Sequence, residues 1–149
     1  MDYIRELLAL LIVSESNMRC LHWLVAGKEF DNTHAGFTTS YYEMISEDVD
    51  YIAEVCIRLG IDVLNYDSAY QIAKEKSFPL IDDKHGYSRK DASEICDSIL
   101  GNIQKYLLVV LDSEVIKEPM NVGIKSTLEG MYEKYDKEKR FLNKRRLVD

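Results

Sequence analysis

At 149 residues the chain is long enough for one sizeable hydrophobic core and too short for two, so residues 1–149 read as a single domain. Hydrophobic residues at 46% and charged residues at 30% exclude disordered, collagen-like and membrane classes. A formal charge of −7 argues against a body that binds nucleic acid electrostatically, since phosphate binding needs a positive surface.

With seven Gly and two Pro in the whole chain, few long helices are expected rather than many short strands. The first predicted helix covers residues 2–26, where Ile4, Leu7, Leu8, Leu11, Ile12, Met18 and Leu21 keep a three-to-four spacing, and it ends near Gly27. Its apolar run 7–13 is too short to span a bilayer. Acidic residues surround it and no small-residue cleavage site follows, so it is expected to be a buried stripe. A second helix is predicted from Phe37 through Tyr41, Ile45, Ile52 and Cys56, with Gly60 as its stop signal. Between Ile61 and Lys90 the pattern weakens to a short helix over 68–76 and a loop over 78–87. Ser88, three residues before Asp91, resembles an N-cap for a third helix running through Ile95, Ile99, Ile103 and Leu107 to Leu111. Glu118-Pro119 interrupts, and Val122, Ile124, Leu128, Met131, Tyr135 and Leu142 mark a fourth. The expected fold is all-α: a ferritin-like four-helix bundle with a short extra helix in the crossover between its two hairpins.

Cys20, Cys56 and Cys96 lie within helical patterns, are odd in number and lack CxxC spacing, so they are expected as reduced core thiols in a cytoplasm. Glu43, Glu47 and Asp48 read as surface charges. Trp23, Tyr41 and Tyr42 read as packing rather than electron donors. Lys137, Lys139, Arg140, Lys144, Arg145 and Arg146 suit a helix C-terminus. Residues 1–6 are nearly neutral, so an N-terminal DNA-binding tail is not expected; the basic stretch 137–146 could reach DNA if it frayed, and a solvated helix end is favoured.

The chemistry concentrates in His22-Trp23, Gly27, Phe30, His34 and then Asp50, Ala53 and Glu54, closed by Leu59-Gly60. Two imidazoles and two carboxylates form a mixed nitrogen and oxygen ligand set suited to iron or zinc. Asp50 and Glu54, four apart, project from one helix face.

In these residues the chain resembles the Dps family of mini-ferritins, whose pattern is His-Trp, a Gly and a Phe, a second His twelve residues on, then Asp-x-x-Ala-Glu and Leu-Gly. The match covers residues 18–60; beyond it only helix order, helix length and a loose likeness at 128–142 remain. The resemblance implies iron as substrate, oxidised at a site shared by two subunits. His22 and His34 would come from one chain, and Asp50 and Glu54 from its two-fold neighbour, within a dodecameric cage. Ordinary ferritins use a Glu-x-x-His motif within one bundle, which is absent here and so favours the shared site. Two features depart from the pattern. Thr38 stands where the family has a further Asp, and the interval from His34 to Asp50 is one residue longer, which implies a shifted helix start or a local bulge. Asp112, Glu114 and Glu118 read equally as pore lining or as a solvated turn. Two rival readings stay open: a ferritin-like cage that has lost ferroxidase activity and acts as a structural or interaction protein, and a monomeric helical-bundle enzyme.

Overall fold

A computed structural model of the chain describes residues 2–146. Met1 and residues 147–149, which the single-domain and N-terminal charge readings include, lie outside the described residues. The chain runs α1 (Tyr3–Leu24), a short α2 (Phe30–Asn32), a π-helical turn (Thr33–Thr38), α3 (Thr39–Arg58), α4 (Tyr66–Glu75), α5 (Arg89–Leu111), a short α6 (Glu114–Lys117), a 3₁₀ turn (Pro119–Asn121) and α7 (Val122–Arg146). Among the described residues the β-structure is an isolated bridge between Val25 and Tyr87. No helix among them is long and apolar enough to cross a membrane.

Local chemistry accounts for the helix ends. Asp2 caps α1 by accepting from the Arg5 N–H, Asn65 caps α4 through the Ser68 N–H, and Ser88 caps α5 through the Asp91 N–H at 3.1 Å. At the end of α3 the Gly60 N–H donates to Ile57 O and the Ile61 N–H to Cys56 O. This Schellman closure places Gly60 at φ +70°, where glycine lacks the Cβ that would clash.

The four long helices pack as α1 on α3 and α5 on α7, with α1 also against α5 and α4 lying on α1. Covered on three sides, α1 is buried from Glu6 to Ser14, which is why its apolar run is continuous rather than a narrow stripe. Leu7, Leu11, Met18 and Leu21 of α1 meet Ile45, Ile52 and Cys56 of α3, Leu100 and Ile103 of α5, and Leu128, Tyr135 and Leu142 of α7 in one core. Glu6, only 9% exposed, is partnered there: it accepts from the Tyr106 hydroxyl and pairs with Lys76 at 3.1 Å. The crossover loop is tied down by Asn17, whose side chain donates to Pro79 O (2.9 Å) and accepts from the Ile81 N–H (3.1 Å).

Several expectations are corrected here. The second helix begins earlier than Phe37, through α2 and the π turn, and the added residue before Asp50 is taken up in that turn. Helix α4 starts two residues before the predicted 68–76 segment, and the α6 and 3₁₀ turns fill what read as a plain interruption. Asp48 is not a surface charge. It is buried between α3 and α7, accepting from Lys134 Nζ at 2.8 Å and from the Tyr135 hydroxyl at 2.7 Å. Trp23 is 65% exposed in the single chain, whereas Tyr41 is buried in the core. Cys56 and Cys96 are buried free thiols, and burial pushes the Cys56 thiol up to about 11; Cys20 is partly exposed.

Candidate metal centre

His22 sits in the last turn of α1. The chain then reverses through Gly27, whose φ of +101° an L side chain rarely adopts, and re-enters helix at Phe30. The π turn that follows contains a kink at Gly36 (φ −78°, ψ −105°). Such a turn holds one residue more than an α-turn and re-aims the side chains around it. His34 thereby stacks on His22, with ring centroids 3.7 Å apart and planes inclined by 17°. Phe30 stacks on His34 at 4.9 Å, and Tyr42 meets His22 edge-on at 5.1 Å. Arg19 lies over the Tyr42 ring at 4.7 Å and is itself held by Glu15 at 2.6 Å.

The His34 Nδ1 lies 2.8 Å from the His22 carbonyl oxygen, which can only accept, so Nδ1 carries the proton and Nε2 carries the lone pair. An imidazole that donates its second nitrogen to a backbone carbonyl is the usual arrangement of a histidine metal ligand. The His22 Nδ1 is 3.1 Å from Thr38 Oγ1 and 3.3 Å from Thr39 Oγ1. Burial, then the neighbouring His34 and the Arg19 guanidinium, lower the His22 pKa below the ordinary imidazole value, which favours the neutral, metal-binding ring.

Asp50 and Glu54 lie one turn apart on α3, both exposed. Among the described residues neither has an ion-pair or hydrogen-bond partner. Asp50 borders a cleft of about 370 Å³ between α1, α3 and α4, also lined by Glu15, Arg19, Tyr66 and Tyr70. Within one chain the imidazole pair and the carboxylate pair do not join: among the described residues no three His, Cys, Asp or Glu side chains gather as a metal cluster. Of the predicted residues, then, His22 and His34 are brought into contact, and Asp50 and Glu54 share a separate exposed face. The predicted set omitted Thr39, Tyr42 and Arg19, which surround His22; the longer His34 to Asp50 interval was the signal that the backbone is rearranged there. Asp112, Glu114 and Glu118 are exposed, with Asp112 paired to Lys117 at 2.8 Å.

No protein-family model matches the sequence, and no curated protein matches it. Solved structures do. The chain superposes on Helicobacter cinaedi CAIP with a TM-score of 0.85 at 16% identity, covering 97% of each chain. It matches Dps from Staphylococcus aureus at TM-score 0.78 and 20% identity, over 97% of this chain and 95% of that one. It also matches Vibrio cholerae O1 Dps, described as one of the ferritin-like diiron-carboxylate proteins, at TM-score 0.80 and 19% identity, over 95% and 85%. The chain therefore has the ferritin-like four-helix fold of the Dps proteins.

Proposed function

We propose that this chain is a mini-ferritin subunit that binds Fe(II) between two copies of itself, oxidises it with hydrogen peroxide or oxygen, and stores the ferric product in a dodecameric cage. The observation that carries the reading is the division of the ligand set. Two stacked imidazoles, one with its Nδ1 turned to a backbone carbonyl, stand apart from two exposed carboxylates with no partner among the described residues. A second chain related by a two-fold axis can present Asp50 and Glu54 to the first chain's His22 and His34, and an isologous contact makes two such sites at once. The diiron-carboxylate description of the Vibrio cholerae protein supports iron as the substrate.

In this reading the imidazoles bind as neutral donors and the two carboxylates offset the charge of the cation. Each Fe(II) gives up one electron. Hydrogen peroxide accepts two electrons and two protons and leaves as water. The redox work belongs to the metal, and the side chains bind and orient it. The physiological role that follows is cytoplasmic iron storage with removal of peroxide under oxidative stress.

Direct DNA binding is not part of the proposal. Helix α7 remains helical to Arg146, and Lys139, Arg140 and Arg145 are engaged with Asp97, Asp136 and the Tyr41 hydroxyl, which favours a helix end over a free basic tail.

Anaerobic Fe(II) titration followed by peroxide tests the reading. Saturable binding and a rise in ferric absorbance are expected for the native chain, with both lost in His22→Ala and in Glu54→Ala. Absence of saturable binding, or native behaviour in both variants, would establish the rival, a ferritin-like scaffold without ferroxidase activity.

A further inference from the structure

Three hydroxyl contacts around the π turn bear on the tautomer of the second imidazole. The Thr38 Oγ1 lies 2.8 Å from Thr33 O and 2.9 Å from His34 O. Thr39 Oγ1 lies 2.7 Å from the same His34 O. Carbonyl oxygens only accept, and each hydroxyl has one proton, so both threonines spend their protons on the backbone. What each then offers the His22 Nδ1, at 3.1 and 3.3 Å, is a lone pair. Were Nδ1 unprotonated, either two oxygen lone pairs would face its own lone pair in a part-buried site, or a threonine would have to give up a shorter backbone bond to donate to it. Thr38 is fully buried, and its one proton is shared between two backbone carbonyls.

We propose that Thr38 and Thr39 are positioning residues: they hold His22 as the Nδ1–H tautomer, with the Nε2 lone pair free to bind the metal. Thr38 is then not a weak substitute for a carboxylate ligand. It acts one step back from the ion, doing for His22 what the His22 carbonyl does for His34. The π turn makes this possible, because its extra residue sets two consecutive hydroxyls, rather than one, against the same ring nitrogen. Both imidazoles of the stacked pair thus carry their protons on Nδ1 and their lone pairs on Nε2. The metal half of this assignment rests on the iron reading above; the tautomer does not.

The test is histidine-selective ¹⁵N solid-state NMR on the assembled, metal-free protein, using a His22→Gln difference spectrum to assign the ring, joined to Co(II) titration of the same samples. The native His22 should give the Nδ1–H signature. Thr38→Val with Thr39→Val should move it toward Nε2–H and weaken Co(II) binding roughly 10–100-fold, the usual loss when a ligand's supporting hydrogen bond is removed. Thr38→Ser with Thr39→Ser should restore both, which separates positioning from mere packing. A native Nε2–H signature, or unchanged tautomer and Co(II) affinity in the valine pair, overturns the proposal. A native Nδ1–H ring that binds no Co(II) overturns the metal role and the iron reading with it, while leaving the tautomer as assigned, so the two failures are distinguishable.

Discussion

Asp48 and its partners show how one residue can join two helices far apart in sequence. Its carboxylate, on α3, takes a proton donor from each of two adjacent residues of α7, Lys134 and Tyr135, with Tyr135 itself buried in the core. Burial, with the negative Asp48 beside it, raises the Tyr135 phenol well above its ordinary value, so it stays a donor across the physiological range. Truncation of Asp48 strands a buried hydroxyl and leaves a half-exposed ammonium without its counter-charge. Asp48→Ala is expected to lower unfolding free energy by about 2–3 kcal/mol, and Tyr135→Phe by about 1 kcal/mol, since the phenylalanine keeps the packing and Lys134 still partners the carboxylate. Urea denaturation of the assembled protein checks both; a change below about 0.5 kcal/mol in Asp48→Ala would show that the buried contact contributes little. Asp48 read as a surface charge although it follows Ile45 by three and precedes Ile52 by four on the buried stripe, because a carboxylate there needs partners the local sequence does not show. Both of those partners lie more than eighty residues along the chain.

At the scale of elements, helix ends carry the local strain. Helices α3 and α4 end in the same Schellman geometry, but with different residues at the left-handed position. Gly60 occupies it after α3, and Ser77, at φ +58°, occupies it after α4, where the Phe78 N–H donates to Ala73 O at 2.8 Å. A left-handed L-residue costs about 1–2 kcal/mol, against about 0.5–1 kcal/mol for the extra unfolded-state freedom of glycine. Ser77→Gly is therefore expected to stabilise the chain by roughly 0.5–1 kcal/mol. A raised denaturation midpoint with unchanged slope would confirm it, and a lowered midpoint would show that the serine side chain has a compensating role. The long helices were readable from spacing because each buries a face against the others. Gly60 and Ser88 marked their ends by the same chemistry that caps them. The stretch from Phe30 to Gly36 was not readable as helix. Its polar run and Gly36 carry no apolar period, and contacts with α1 stabilise it: His34 against His22 and the threonine hydroxyls against the ring.

For the whole molecule, the proposed site makes the single chain only half of a working unit. Trp23, Ile57 and Tyr66 are each about two-thirds exposed, on or beside the helices that bear the candidate ligands. Large apolar side chains left this exposed suit a contact with another chain. The candidate ligands His22, His34, Asp50 and Glu54 were picked out by their order in the sequence. What order alone does not convey is that the two imidazoles stack while the two carboxylates remain apart from them, a consequence of the turn geometry after α1. If one iron site draws ligands from two chains, complementary variants should rescue each other when mixed. Subunits carrying His22→Ala and His34→Ala would be co-assembled in equal amounts with subunits carrying Asp50→Ala and Glu54→Ala, and saturable Fe(II) binding measured anaerobically. Each variant alone should bind nothing. With random pairing, half the dimers are mixed and each has one intact site of two, so the mixture should recover about a quarter of the native capacity. No recovery from mixed assemblies of normal size would contradict a site shared between chains.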